Sequence, residues 1–238
     1  MTSRAAVQSV VLLLIGGTLL RIAWSGTYVR YVKPGLQWYL VAAGAVLIAV
    51  AAVNLARVLR GRHDHDHDEH HDHGRFEPSW LLVAPALALL LVAPPALGSY
   101  AAAHGGTALN PAAASDFPPL PDGDPVRVSL LDYASRAVFD QGRTLKDRPV
   151  TLSGFIVVAG ERKYLTRMVI TCCAADARPV KVGLAGAVPP DAGADAWLEV
   201  TGVYTAQTDQ DPVDDQPIPF LSVTAAHRIP APKQPYES

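Results

Sequence analysis

The sequence predicts a membrane-anchored α + β protein, with three N-terminal transmembrane helices followed by a small β-barrel-like, OB-like C-terminal domain. Three observations carry that prediction. Half of the 238 residues are apolar, yet the long uncharged runs crowd into the first hundred positions, the asymmetry of a membrane part joined to a soluble part. Residues 99–124 then turn to Ala, Gly and Pro, the composition of a flexible tether. Beyond them the chain breaks into short apolar segments separated by Gly, Pro or Asp, the pattern of a strand-rich domain.

The first apolar run, Ala6 to Trp24, is long enough for a bilayer core of about 30 Å. Arg21, Ile22 and Trp24 spoil a small-residue cleavage site, so it reads as a retained anchor rather than a signal peptide. The second, Leu36 to Ala56, is uncharged and begins near Trp38 and Tyr39, which suit a membrane interface. The third, Trp80 to Leu97, contains Pro85 and ends near Pro94 and Pro95, so a kinked helix of minimal length is expected. Arg4, Arg57, Arg60, Arg62 and Arg75 outweigh Arg21, Arg30 and Lys33 of the first loop, and only Arg127 follows Leu97 within thirty residues. The positive-inside rule then puts the N-terminus and the second loop in the cytoplasm and the C-terminal domain outside it.

These boundaries give a membrane domain over 1–98, a linker over 99–124, a barrel domain over 125–232 and a tail over 233–238. Within the barrel domain a short strand is expected at Val126–Leu130 and a helix at Leu131–Phe139. Five strands follow at Val150–Val158, Tyr164–Thr171, Val180–Leu184, Trp197–Tyr204 and Phe220–Ala226, enough for a small closed barrel. The net charge of −2 and the lack of a long basic face argue against nucleic acid as a partner.

Two stretches carry candidate chemistry. In the second loop, His63, His65, His67, His70, His71 and His73 hold six of the eight histidines, interleaved with Asp64, Asp66, Asp68, Glu69 and Asp72. Imidazole and carboxylate together suit zinc or another divalent transition metal. An extended chain aligns His63, His65 and His67, whereas a helix aligns His63, His67 and His71. Either way the tract offers weak, multi-ion binding that fails as the imidazoles protonate below about pH 6.5.

The second stretch holds the only two cysteines side by side, at Cys172 and Cys173. Neighbouring side chains of a strand point to opposite faces, so the pair serves one partner only where the backbone bends. Three readings stay open. The pair can form a strained, reducible disulfide across one peptide. It can give thiolate to a metal, with Asp176 or a histidine completing the site. Or one cysteine packs as a small apolar residue.

Arg167 reads as a solvated surface charge, and Asp209, Asp211, Asp214 and Asp215 as a solvated turn without the glycine and glutamate of an EF-hand. His104 and His227 stand alone. The sequence contains no phosphate-binding glycine loop, nucleophile elbow or zinc-protease signature, so no enzymatic activity is expected.

The run Arg167-x-x-x-x-Cys172-Cys173-x-Ala175-Asp176-Ala177-x-Pro179 is preceded by Val150-Thr-Leu-Ser-Gly-Phe-Ile156 and followed by Trp197-Leu-Glu-Val-Thr-Gly-Val-Tyr204. With a tail of Pro232-Lys-Gln-Pro235-Tyr236, it resembles the YcgQ-like family of bacterial putative permease subunits over nearly the whole chain. The resemblance implies a multi-pass protein of the bacterial inner membrane, paired with a multi-spanning permease in the lipid bilayer and acting in metal homeostasis, chiefly of zinc. The alternatives are a membrane-anchored thiol redox protein or sensor using the vicinal cysteines, and a structural docking subunit.

Overall fold

A computed structural model describes residues 2–60, 94–110 and 117–238. The histidine tract at 63–73, and residues 80–93 of the expected third span, lie outside them. The chain divides into two units, one of residues 1–28 and 34–95 and the other of residues 29–33 and 96–238.

The first unit is built on α1 (Thr2–Ser25) and α2 (Gln37–Leu59). Stretches long and apolar enough to cross a membrane run over Gln8–Ser25 within α1 and over Pro34–Arg57, which joins the short 3₁₀ turn Pro34–Leu36 to most of α2; only 17% and 11% of these is buried. The core helix of a soluble protein is mostly buried, so these faces suit lipid. Among the described residues there are thus two candidate spans where the sequence predicts three. What is buried follows a seven-residue spacing of small side chains: Ser9, Gly16 and Ala23 on α1, Gly44 and Ala51 on α2. Gly16 and Gly44 meet so closely that a Cβ on Gly16 would lie 2.9 Å from the Gly44 carbonyl oxygen. Close backbone approach through small residues is how helices associate where apolar burial supplies no drive. Gln37 Nε2 donates to the Ala23 carbonyl at 3.1 Å, which sets the pair antiparallel. From Trp38 to Arg57, α2 rises about 29 Å, close to the thickness of a bilayer core.

The second unit is a five-stranded barrel. Its strands are β2 (Val150–Ala159), β3 (Arg162–Val169), β4 (Arg178–Gly186), β5 (Trp197–Gln210) and β6 (Pro217–Arg228). They close in the order β2-β3-β4-β6-β5-β2, antiparallel except for the parallel β4–β6 pair. Four of them lie in the Greek-key order 4-1-2-3, and the fifth closes the ring between the third and fourth. Two short strands flank it, β1 (Val126–Arg127) on β2 and β7 (Tyr236–Glu237) on β3. β7 falls in the stretch read from sequence as a tail.

Inward residues alternate with outward ones. Leu152 and Ile156, Leu165, Val180 and Val182, Leu198 and Val200, and Leu221 and Val223 fill the barrel. Helix α4 (Leu130–Phe139) joins that core through Leu130, Tyr133, Ala134 and Ala137. The helix begins one residue before the expected position because Ser129 caps it, its hydroxyl accepting from the Asp132 N–H at 3.0 Å.

The outward side chains of β2, β3 and β6 form a second apolar cluster of Phe155, Val157, Tyr164, Met168, Ile218 and Phe220. It is covered by α3 (Ser99–His104) and its flanks, with Ala102 fully buried. Residues 99–110, expected to run free, are therefore docked. Ser99 donates from N and Oγ to Asp195 at 2.6 and 2.8 Å, and the Ala108 N–H reaches the Pro179 carbonyl at 2.8 Å. The Ala and Gly composition that suggests freedom here serves close approach: a Cβ on Gly105 would sit 2.9 Å from Pro179 Cδ.

The acidic loop also departs from expectation. Asp211 is fully buried and pairs with Lys181 Nζ at 2.8 Å, both side chains lying beneath the docked segment. Its other oxygen accepts from the Val213 N–H at 3.0 Å, so the loop folds round a charge that burial requires to be paired. Lys181→Met should destabilise the full chain by about 3–5 kcal/mol by stranding Asp211, whereas Lys181→Met/Asp211→Leu should recover much of the loss. Urea unfolding in detergent, followed by tryptophan fluorescence, reads both.

Candidate metal centre

β3 ends at Val169 and the chain bends at Thr171 and Cys172 before a single 3₁₀ turn, Ala174–Asp176. That bend breaks the alternation of a strand. The Asp176 carboxylate holds it: Oδ1 accepts from the Thr171 N–H at 2.8 Å, and Oδ2 from the N–H groups of Cys172 at 2.8 Å and Cys173 at 3.3 Å. A short acidic side chain that collects neighbouring N–H groups replaces the sheet ladder with a tight loop. The other edge of the loop pairs with residues 31–33, which belong to the same unit. Val32 bridges Cys173, the Lys33 N–H donates to the Cys172 carbonyl at 3.0 Å and the Ala174 N–H to that of Tyr31 at 2.7 Å.

The outcome is a cluster of three possible metal donors, Cys172 Sγ, Cys173 Sγ and one Asp176 oxygen, all within 4.8 Å of one another. Both cysteines are free thiols, Cys172 exposed and Cys173 half-buried. A zinc ion bonded at about 2.3 Å to sulfur and 2.0 Å to oxygen draws its donors to roughly 3.5–3.8 Å apart, so closing the group takes about 1 Å. Two soft sulfurs and one carboxylate fit a borderline transition metal.

The electrostatics run in one direction. The hydrogen bond from the Cys172 thiol and the N–H groups of Thr171 and Cys172 lower the Asp176 carboxyl to about 2. The same carboxylate, with Cys173 beside it, pushes the Cys172 thiol up to about 12. Near neutral pH the loop therefore presents a carboxylate and a protonated Cys172, an electronegative spot that favours a cation. Reactive thiolates sit instead in electropositive surroundings.

The other candidate residues fall elsewhere. His63, His65, His67, His70, His71 and His73, with Asp64, Asp66 and Asp68, lie outside the described residues. His227 Nε2 lies 3.2 Å from Glu199 Oε1, and His104 stacks on Tyr100, so neither joins the cysteines. Arg167, expected at a solvated surface, is 9% exposed. Its guanidinium lies 5.1 Å from the Trp197 ring and 3.9 Å from Glu237 Oε1. Burial lowers its pKa and Glu237 opposes that shift. Sequence reasoning missed Glu237, since nothing local marks a glutamate at this position as paired with a strand nearly seventy residues away.

Asp176→Asn removes the charge that keeps Cys172 protonated, so the thiol should titrate far below 12, towards the ordinary cysteine value. The pH dependence of iodoacetamide alkylation in a Cys173→Ser background measures it. An unmoved midpoint would separate the carboxylate from the thiol. In the wild type, the Asp176 carboxyl is depressed, so its hydrogen bonds should hold above about pH 4 and be lost as the pH falls towards 2. Backbone amide signals of residues 171–173 would show the opening.

Residues 7–106 match the DUF1980 N-terminal domain and residues 136–237 the DUF1980 C-terminal domain. No curated protein matches the chain, and neither does any solved structure. The C-terminal match takes in Cys172, Cys173, Asp176 and β7, while the N-terminal match takes in α1 from residue 7 on, α2 and the histidine tract. The two matches together span most of the 238 residues, and the chain belongs to the DUF1980 family.

Proposed function

We propose that this protein is a membrane-anchored accessory subunit of a permease system for a divalent transition metal, zinc foremost, and that Cys172, Cys173 and Asp176 take the ion as cargo. The observation that carries the reading is the donor cluster: two thiols and a carboxylate within 4.8 Å on one accessible loop. Three donors drawn from five consecutive residues leave a coordination position for water or a partner's ligand, as suits an ion that is passed on. The thiols lose their protons to solvent as the ion binds, and Asp176 contributes charge already in place. The histidine tract gathers ions on the opposite face, where the excess of Arg places the second loop.

Connectivity supports the expected topology. Residues 31–33, between α1 and α2 in sequence, pair with the double-cysteine loop. If α1 and α2 both cross, the chain must cross again between residues 60 and 96 to return the barrel to the face where 31–33 lie. The apolar run that begins at Trp80 is the segment able to do so, stopping short of Ala96 and Leu97, which pack on the barrel unit. Three crossings from a cytoplasmic N-terminus, the orientation the positive-inside rule favours, would put the barrel outside the cytoplasm; a bacterial inner membrane and a multi-spanning permease as partner are what the YcgQ-like resemblance implies.

The redox alternative has less behind it. A thiol raised to about 12 by a neighbouring carboxylate is a poor nucleophile at neutral pH.

Calorimetric titration of the full chain with zinc, in detergent under reducing conditions, should resolve a tight site and a weaker multi-ion class. Cys172→Ser should weaken the tight site at least tenfold, and deletion of residues 63–73 should remove only the weaker class. Because Cys172 must give up a proton, tight-site affinity should rise with pH between 6 and 8, by up to about tenfold per unit for each thiol displaced. A Cys172→Ser titration identical to wild type would overturn the assignment.

A further inference from the structure

The arm that follows β6 carries three residues, Pro235 to Glu237, held as a bound peptide is held. β7 adds to the edge of β3 in parallel, with Tyr236 opposite Met168 and Glu237 opposite Val169. The Ile170 N–H donates to the Glu237 carbonyl at 3.0 Å. Pro235 is buried. Tyr236 is 8% exposed, in the cluster that includes Met168, Ile170 and Leu97. Its hydroxyl accepts from the Leu97 N–H and donates to the Arg30 carbonyl, each at 3.0 Å. The Glu237 carboxylate takes the N–H groups of Leu130 and Leu131 at the start of α4, both at 2.9 Å. Strand addition, an aromatic socket and carboxylate capture at a helix N-terminus are the devices of peptide recognition.

Two further observations separate this arm from an ordinary terminal strand. Arg167 Nε, in a residue nine-tenths buried, has no hydrogen-bond partner, although it faces Glu237 Oε1 at 3.9 Å. Nη2 of the same guanidinium donates to the Gln234 carbonyl at 3.2 Å, so a buried charge of the groove answers to the arm. The connection from β6, moreover, carries Pro230 and Pro232 with Ala231, Lys233 and Gln234 exposed. Recognition is thus concentrated in Pro235-Tyr236-Glu237, at the end of a stiff arm whose seven residues reach roughly 22 Å when extended.

We propose that this groove is a peptide-recognition site for an extended Pro-Tyr-Glu segment, and that its occupant exchanges between copies of the chain. The arm of one molecule seats in the groove of a second, which returns its own. Identical grooves and identical arms make the exchange reciprocal and closed, the low-cost route to a twofold dimer. Arg30, Leu97, Leu130, Leu131 and Arg167 supply the contacts in either arrangement.

The probe is a fluorescent peptide of residues 229–238, titrated into full chain in detergent. Tyr236→Ala disables the resident arm and leaves the groove intact, so this variant should bind the peptide at least tenfold more tightly than wild type does. A peptide with Ala in place of both Tyr and Glu should fail to bind. Should Tyr236→Ala unfold the barrel, excess wild-type peptide should restore its near-ultraviolet dichroism. In wild type the same peptide should dissociate a concentration-dependent dimer, read by light scattering with the detergent mass subtracted. Absence of saturable binding or rescue in Tyr236→Ala overturns the groove, and a wild-type chain monomeric at every concentration, or a dimer indifferent to the peptide, overturns the exchange.

Discussion

The carboxylate of Asp176 is the constraint on which the candidate site rests. By accepting three successive backbone N–H groups it turns the end of a strand into a loop. By standing next to Cys172 it sets the charge of that loop. Without it the two cysteines would alternate across a strand and share no ligand. One short acidic side chain thus supplies geometry, electrostatics and a third donor, and these three roles make the adjacent cysteines read as one site.

That loop is held from outside by two other parts of the chain. Residues 31–33 pair with its free edge. The residue before them, Arg30, gives its carbonyl to the hydroxyl of Tyr236, which also takes the N–H of Leu97. One buried phenol therefore joins the first loop, the chain entering the barrel unit and the C-terminal arm. Glu237, next to it, caps α4 and faces Arg167 on β3, five residues before Cys172. The quoted motif from Arg167 to Asp176 thus has a physical division: Arg167 answers to the tail and Asp176 to the loop.

How much of this was legible in the sequence depended on the range of the signal. The five barrel strands and α4 are legible in kind, because alternation of apolar residues along a strand and their return to one face of a helix are local signals; the Ser129 cap, equally local, sets the helix start one residue before the expected position. β5 and β6 run longer than expected, since Thr208 to Gln210 look like a polar turn until paired, beyond a bulge, with Pro217 to Pro219. The role of Asp176 was legible only as a possible ligand. Three of the buried charges, Arg167, Lys181 and Asp211, are invisible to local reading because each is paired with a partner distant in sequence. The docked segment at 99–110 was mistaken for a tether because Ala and Gly signal close packing as readily as freedom. For α1 and α2 the heptad of small residues is present in the sequence, beneath a hydropathy signal that predicts a span and says nothing of its partner.

The central claim is that the double-cysteine loop is a metal receptor, distinct in its ligands from the histidine tract. Zinc-edge X-ray absorption of the full chain loaded with one equivalent of zinc under reducing conditions tests it most directly. The account predicts a first shell with two sulfurs at about 2.3 Å and the remainder oxygen near 2.0 Å. A first shell of nitrogen and oxygen alone would assign the tightest site to the histidines and contradict it.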